Sequence, residues 1–332
     1  MMTPQPETAG VSSPVLLVTG GSGFVGRHLI NALALRWPEA SLHATAHSNL
    51  PDDGPTGCQW DRLDVAEASH VAEIIEVLKP SVIVHLAAQS HVPTSFEHPV
   101  ETWRINLNGT LNLLEAVQQH SPLTRLLIVG SSDMYGGSFR SGKAVTEDSP
   151  LLPLNPYAAS KAAADLAAYQ YSQSAGLAVI RARSFNHTGP GQNERFVLPA
   201  FASQIARIER GAQPPVLETG NLEAERDFLD VDDVIEAYLA LMSLPREQYQ
   251  GQAYNIASGT SVPIRALLER LVALSTRRIE TRLDPARQRP VDISRVAADT
   301  SAIQRAAGWR PTRSMDDMLL RLLDDWRQRL AG

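Results

Sequence analysis

Short apolar runs alternate with stretches of helical spacing along the first half of the chain. The pattern predicts six strands, which cover residues 15–19, 41–46, a short segment before 61, 82–88, 126–130 and 179–183. Strands that alternate with helices in this way are typical of a parallel sheet with helices on both faces. The chain is therefore predicted to have an α/β fold with a Rossmann-type doubly wound parallel sheet.

A glycine-rich turn follows the first strand and leads into a predicted helix. Its sequence is Gly20-Gly21-Ser22-Gly23-Phe24-Val25-Gly26. Glycines at 20, 23 and 26 permit a tight turn, a close approach of the backbone to a pyrophosphate and close packing of the helix. The helix N terminus adds free N–H groups that can bind phosphate. Because the motif lies between a strand and a helix, it predicts dinucleotide binding by the whole segment.

The pattern becomes irregular after residue 183. A loop rich in Gly and Pro at 184–192 precedes predicted helices at 195–210, 231–242 and 263–275, a strand at 216–218 and a helix-turn-helix at 301–330. A chain of 332 residues is long enough for two lobes. We predict a flexible tail (1–14), a dinucleotide-binding domain (15–183) and a smaller α/β substrate-binding lobe (184–332), some of whose segments return to the first domain.

Charge and composition exclude several classes of protein. The 30 Lys and Arg residues and 36 Asp and Glu residues are well mixed and give a net charge of −6, so no basic surface for nucleic acid or membrane is predicted. No apolar run is long enough to span a bilayer, and no metal site is predicted. Cys58 is the only cysteine, which fits a reducing compartment, and the cytoplasm is the expected location.

Candidate catalytic residues lie around residues 131 and 157. Asn155 and Pro156 form a helix start, which places Tyr157 and Lys161 one turn apart on the same face. By itself the pair is equally consistent with an ordinary amphipathic helix. A nearby ammonium would lower the pKa of the phenol and make it usable in proton transfer. Open parallel sheets bind ligands at the carboxyl ends of their strands. At that end of the fifth strand the chain carries two hydroxyls and a carboxylate, those of Ser131, Ser132 and Asp133.

The tip of the second strand favours one dinucleotide over the other. An acid at this place binds the ribose hydroxyls of NAD, whereas a basic residue suits the extra phosphate of NADP. His47 stands there, which favours NADPH over NADH. Asp64 and Val65 are predicted to border the adenine, with a helix N-cap as the alternative for Asp64. The fourth strand closes on small residues, where the cofactor can pass, and its last three residues, Leu86, Ala87 and Ala88, are predicted to bind it. His85 and Asn106 are predicted to be structural.

Together these motifs resemble the extended short-chain dehydrogenase/reductase superfamily over nearly the whole chain after the tail. The matching segments are 20–26, 85–88, 106–110, 131–136, and Tyr157 with Lys161. Within the superfamily the chain is most similar to the reductases of GDP-4-keto-6-deoxy-D-mannose. That likeness comes from segments 131–133, 185–192, 226–231 and 284–290.

The resemblance implies a nicotinamide cofactor and a GDP-sugar substrate, the latter bound by Asn186, Val197, Arg226 and Arg289. It implies hydride transfer to the C4 ketone of the sugar while Tyr157 protonates the oxygen, which Ser131 holds with help from Ser132. Lys161 is implied to lower the pKa of Tyr157 and to bind the nicotinamide ribose. The expected product is a GDP-6-deoxyhexose, preferably GDP-D-rhamnose. Its C4 epimer, GDP-6-deoxy-D-talose, differs only in the face of the ketone that is reduced.

Other functions stay open at this point. In GDP-mannose 4,6-dehydratases a carboxylate two places beyond the Ser or Thr, usually Glu, removes the C5 proton, and Asp133 holds that position. We hypothesise that the shorter Asp withdraws the base from C5. A UDP-sugar 4-epimerase is the third alternative. A non-catalytic protein that senses a dinucleotide is the fourth, although the intact Ser131, Tyr157 and Lys161 argue against it.

The resemblance also implies a homodimer through a four-helix bundle. The helices 99–119 and 156–175 of each subunit would form it. The second of these helices has an alanine-rich face that permits close packing, made of Ala158, Ala159, Ala162 and Ala163. A face buried inside the subunit would have the same composition.

Overall fold

The computed structural model describes residues 13–48, 50, 57–287 and 293–331. Numbered along the chain, its strands are β1 (Val15–Thr19), β2 (Ser41–Ala46), β3 (Cys58–Arg62), β4 (Val82–His85), β5 (Arg125–Ser131), β6 (Ala178–Ser184), β7 (Asn186–Thr188), β8 (Val216–Thr219), β9 (Glu225–Asp230), β10 (Gln250–Ile256), β11 (Ser261–Pro263) and β12 (Glu280–Leu283). Seven of them form a parallel sheet in the order β10-β6-β5-β4-β1-β2-β3. The predicted Rossmann-type α/β fold is confirmed.

Helices cover both faces of this sheet and build the second lobe. They are α1 (Phe24–Arg36), α2 (Ala68–Leu78), α3 (Val92–Glu97), α4 (Pro99–Trp103), α5 (Gly109–His120), α6 (Pro156–Ala175), α7 (Val197–Glu209), α8 (Val231–Met242), α9 (Ile264–Ala273), α10 (Ser301–Ala307) and α11 (Met315–Arg329). A π-helical turn, Arg104–Asn108, joins α4 to α5. No helix in the described ranges is both long enough and apolar enough to cross a bilayer.

The strand order reverses at β1, and this reversal locates a crevice. Strands β2 and β3 lie on one side of β1, whereas β4, β5, β6 and β10 lie on the other. Open parallel sheets bind ligands outside the carboxyl ends of the strands at such a reversal. The ends of β1 and β4 are therefore the expected binding place for a dinucleotide.

The second lobe has its own apolar core. The buried faces of α7, α9 and α11 form it with residues such as Phe201, Leu267 and Leu322. In contrast, α8 packs on α1, and its buried residues belong to the core under the large sheet. Strand β10 also comes from the second half of the chain and pairs with β6 along its length. The sequence pattern did not predict β10, because Gln250–Ile256 is partly polar and is not an apolar run.

Two local predictions were wrong. The polar, irregular sequence of segment 90–99 predicts a loop, but the segment contains α3 and the first residue of α4. Both short helices have proline in their first turn, where its missing N–H has no intrahelical partner to lose. Asp61 was placed after the third strand, but it lies within β3, opposite Thr45.

Candidate active site

The glycine-rich turn brings the backbones of β1 and β4 into contact. Gly20 has φ +71°, and a Cβ added to it would lie 2.7 Å from the Ala87 nitrogen. A Cβ on Gly26 would lie 2.5 Å from the carbonyl oxygens of Gly20 and Gly21. Gly23 occupies the N-cap position of α1 and makes no side-chain cap hydrogen bond. Side chains would fill this cradle, and the bare helix N terminus suits a pyrophosphate, so these residues fit a dinucleotide.

Gly26→Ala should therefore weaken NADPH binding by about tenfold or more and also lower the melting temperature, because overpacking of this kind costs about 1–3 kcal/mol. Titration of the nucleotide, with thermal unfolding in parallel, measures both effects. The control is Gly142→Ala, since Gly142 has φ +69° but nothing lies within 4 Å of an added Cβ. The control should lose some stability and no affinity. Equal nucleotide affinities of Gly26→Ala and the wild type would contradict the assignment of this turn.

The region expected to hold the adenosine is rich in charge. Asp64 accepts hydrogen bonds from the Ala66 N–H at 3.0 Å and from Arg104 at 3.1 Å. Partial burial opposes its ionisation, but these bonds outweigh burial and lower the pKa of Asp64. The exposed His47 ring lies 3.9 Å from the same carboxylate. Glu67, not Asp64, occupies the N-cap position of α2, so the N-cap alternative for Asp64 was wrong. The part that Arg104 has in this region was not predicted from the sequence.

The ends of β5 and α6 bring two hydroxyls together. Asn155 caps α6 as predicted, because its side chain accepts a hydrogen bond from the Ala158 N–H at 2.7 Å. This start places Tyr157 beside the last residue of β5, close enough for the Ser131 hydroxyl to act on the pKa of the phenol. Ser131 also accepts a hydrogen bond from the Asp133 N–H at 3.2 Å. The two predicted catalytic hydroxyls therefore form one site.

Lys161 is buried one turn beyond Tyr157, and it does not act on the phenol as expected. Its ammonium donates a hydrogen bond to the Val129 carbonyl at 2.5 Å. Burial lowers the pKa of Lys161 to about 8, although the Asp165 carboxylate partly opposes this. The pKa of Tyr157 is raised, because burial and the nearby Asp133 charge outweigh the Ser131 hydrogen bond. The prediction that Lys161 lowers the pKa of Tyr157 was wrong for this structure.

The other two predicted residues at this strand end differ in accessibility. The Ser132 residue is only 3% exposed and begins a 3₁₀ turn over Ser132–Tyr135. Asp133 is half-buried, and its charge acts on Tyr157. Of the two serines, only Ser131 acts on the pKa of the phenol.

Two polar residues are structural, as predicted. The His85 ring lies between the hydroxyls of Thr19 and Thr110, at 2.8 and 3.2 Å. Burial and the Lys161 charge lower its pKa to about 3, so it is neutral. Asn106 accepts a hydrogen bond from the Gln89 N–H and donates to the Gln89 carbonyl and to Ser160 at 2.9 Å. Asn106 therefore ties the end of β4 to α6 beside Lys161.

The residues expected to bind the sugar nucleotide lie in the second lobe. Asn186 is half-buried in β7, and Val197 is the first residue of α7. Arg226 in β9 donates to the carbonyls of Glu225 and Ile293 at 2.8 and 2.7 Å. Arg289 lies outside the described residues. The residue before α7, Phe196, contacts the ring of His91 edge-on, with 6.3 Å between centroids.

A buried ionic cluster that was not predicted from the sequence lies behind the site. Asp165 lies one turn beyond Lys161 and is 2% exposed. Its carboxylate accepts hydrogen bonds from Arg181 at 2.5 Å and from Arg183 at 2.8 and 3.2 Å. The two arginines are two residues apart in β6, so their side chains point to the same face of the strand. That spacing is the signal that could have predicted the cluster.

A Rossmann-type sheet with a glycine-rich turn after β1 and a Ser, Tyr and Lys set at the ends of β5 and α6 defines an extended short-chain dehydrogenase/reductase. The sequence profile of the GDP-mannose 4,6 dehydratase family matches residues 17–322. The chain therefore belongs to this family.

Individual relatives are similar over almost their whole length. GDP-6-deoxy-D-mannose reductase from Pseudomonas aeruginosa is 37% identical over 315 residues, which cover 95% of this chain and 98% of that protein. The solved structure of RMD from Pseudomonas aeruginosa complexed with NADPH superposes with a TM-score of 0.82 at 35% identity, over 96% of this chain and 100% of that one. UDP-glucose 4-epimerase from Thermus thermophilus in complex with NAD gives a TM-score of 0.82 at 30% identity, over 94% of this chain and 99% of that one.

Proposed function

We propose that the protein is an NAD(P)H-dependent reductase that converts the C4 ketone of GDP-4-keto-6-deoxy-D-mannose into an alcohol. The observation that carries the proposal is the Ser131 hydroxyl adjacent to the Tyr157 phenol, beside the buried Lys161. It occurs in a chain that is 37% identical to a GDP-6-deoxy-D-mannose reductase over 95% of its length. GDP-D-rhamnose is the preferred product, and GDP-6-deoxy-D-talose is its alternative.

Each group of residues has its own task in this reaction. The turn from Gly20 to Gly26 and the start of α1 would hold the pyrophosphate, and Lys161 would hold the nicotinamide ribose. When bound, the nicotinamide supplies a hydride to the ketone carbon. Tyr157 gives a proton to the ketone oxygen, and Ser131 donates a hydrogen bond that holds this oxygen. The phenol is protonated at neutral pH, as a proton donor requires, and its raised pKa favours the protonated form further.

A second candidate, GDP-mannose 4,6-dehydratase, is favoured by one observation. The Asp133 charge acts on the Tyr157 hydroxyl, so this carboxylate lies near the proposed reaction centre, which a C5 base would also have to approach. Asp is one methylene shorter than Glu, and the proposal is that it does not reach C5. A UDP-sugar 4-epimerase is third, because it needs no residue beyond the Ser, Tyr and Lys set.

One assay separates these activities. The purified protein is incubated with GDP-4-keto-6-deoxy-D-mannose and either NADPH or NADH, while absorbance is followed and the sugar is identified by NMR. Oxidation of the cofactor with a GDP-rhamnose or GDP-talose product is expected. If the protein instead leaves the cofactor unchanged and converts GDP-mannose into the keto sugar in a parallel tube, it is a dehydratase and Asp133 is its base.

The homodimer and the cytoplasmic location stay predictions. Ala158 and Ala162 are buried within the subunit. The outward surface of α4 and α6 exposes large apolar side chains that a partner helix pair could cover, namely Val100 (82%), Trp103 (37%), Leu166 (56%) and Tyr169 (44%). This surface supports the proposal of a four-helix bundle.

A further inference from the structure

A histidine on the first helix connects the cofactor turn to the second lobe. The His28 ring lies on α1, two residues beyond the end of the glycine-rich motif. Its Nε2 is 2.8 Å from the Pro190 carbonyl oxygen, and its Nδ1 is 3.2 Å from the Asp232 carboxylate. Pro190 belongs to the loop 189–192, and Asp232 lies in the first turn of α8. His28 therefore bridges three separate segments.

The two partners of the ring define its protonation state. A backbone carbonyl has no proton to donate, and an ionised carboxylate has none either. Only an imidazolium, which carries a proton on both nitrogens, can donate to both at once. A neutral ring could donate only one of the two hydrogen bonds. The other acceptor oxygen would then face the lone pair of the unprotonated ring nitrogen.

The loop held by His28 lies between two proposed substrate residues. Asn186 precedes it in β7, and Val197 follows it at the start of α7. On its other side the loop is fastened to α11, because the Gly191 N–H donates to Asp325 at 3.1 Å. Arg329 also donates to the Gln192 carbonyl at 3.2 Å. His28 is thus the connection from this loop to the helix that begins at the cofactor turn.

Charged groups surround the ring from several elements. Asp232 is also bound by Arg321 of α11 at 2.7 Å and by Arg313 at 2.9 Å. Asp230, at the end of β9, is bound by Arg321 at 2.8 Å. Burial lowers the pKa of His28, but the hydrogen bonds to Asp232 and Pro190 and the charges of Asp232 and Asp230 outweigh it and raise the value overall. The hydrogen bond from His28 in turn lowers the pKa of Asp232 to about 2.

The remaining neighbours add little positive charge. Phe24 packs edge-on against the His28 ring, at 5.4 Å between centroids, and is stacked on His187 at 6.1 Å. Burial lowers the pKa of His187, which favours the neutral form of this ring. Arg329 of α11 is paired with Asp325 at 2.7 Å. The ion pair with Asp232 therefore dominates the surroundings of His28.

We propose that the His28 imidazolium is a positioning residue that fastens the loop 189–192, and with it the nucleotide-sugar site, to the cofactor helix. Because the folded pKa is raised above the unfolded value of about 6.5, the contact stabilises fully below that pH. The stabilisation is lost as the pH rises through the folded pKa. At alkaline pH the loop should loosen and the substrate should bind more weakly.

The kinetic test rests on the proposed function. In the wild type, KM for the GDP-keto sugar should rise about tenfold between about pH 6 and pH 8.5 once the contact is lost, with kcat changed less. His28→Gln should have the high KM at both pH values. His28→Lys carries a charge throughout this range and should keep the low KM. His70→Asn, at an exposed position of α2, should follow the wild type.

A second measurement needs no substrate, so it remains informative if the proposed reaction is wrong. Hydrogen exchange of the peptide 186–197, corrected for the intrinsic effect of pH, should speed up several-fold in the wild type from about pH 6 to pH 8.5. In His28→Gln the exchange of this peptide should be fast at both pH values. If KM and hydrogen exchange depend on pH in the His28→Gln or the His28→Lys variant as they do in the wild type, the proposal is wrong.

Discussion

Tyr157→Phe is expected to lower kcat by roughly 100- to 10,000-fold, the range typical for loss of a positioned proton donor. The ring stays in place, and only the hydroxyl next to Ser131 is removed. NADPH affinity should change little, because the glycine-rich turn and Lys161 are untouched. Steady-state rates with the GDP-keto sugar, together with nucleotide titration, measure the two effects separately.

The matched control for this substitution is Tyr171→Phe on the same helix. Tyr171 packs at the edge of the core under α6 and should keep full activity as Phe. A protein that only senses the dinucleotide would show no turnover in the wild type and would lose nothing in Tyr157→Phe. If Tyr157→Phe reduces the ketone at the wild-type rate, another group gives the proton and the proposed role of Tyr157 is wrong.

The parts of the site that sequence predicts are those fixed by local chemistry. The turn from Gly20 to Gly26 needs residues without a Cβ, and the structure shows backbone atoms where those side chains would be. The start of α6 follows from Asn155 and Pro156, so the one-turn spacing of Tyr157 and Lys161 is determined within a few residues. Such features depend on neighbours along the chain and are therefore visible in the sequence.

The parts that sequence misses depend on contacts between distant segments. Strand β10 is identified by its pairing with β6, about 70 residues away along the chain, and not by its own apolar pattern. The ammonium of Lys161 is directed to the carbonyl of Val129 in β5, which no helical spacing reveals. For the same reason the sequence shows His28 only as a polar residue of a helix. Its contact with the Pro190 carbonyl exists only in the folded chain.

The direction in which the pKa of Tyr157 shifts could not be predicted from the sequence either, for a related reason. Spacing alone brings an ammonium near the phenol and favours a lower pKa. Burial of the phenol and the approach of Asp133 act in the opposite direction, and both arise only after β5 and α6 have packed. A raised pKa is still compatible with Tyr157 as the proton donor, since a donor must be protonated before the reaction.

Asp165→Asn is expected to lower the free energy of unfolding by about 3–5 kcal/mol, because it removes the one carboxylate shared by two buried guanidinium groups. Arg181 and Arg183 are 9% and 4% exposed, so water cannot replace the lost charge. Their other partners are weaker, since the Gly251 carbonyl accepts from Arg181 and the Tyr135 hydroxyl from Arg183. Urea unfolding of the wild type and the variant measures the loss.

Asp316→Asn is the control, because Asp316 pairs with Arg270 at 3.0 Å on the surface and its side chain is 78% exposed. An exposed pair of this kind contributes about 0–1 kcal/mol. An equally small loss in Asp165→Asn would show that the buried arginines have sufficient other partners. Asp165 also raises the pKa of the buried Lys161. The variant should therefore lose protonated Lys161 at a lower pH than the wild type, and the alkaline limb of kcat should shift to lower pH, which a purely structural role would not cause.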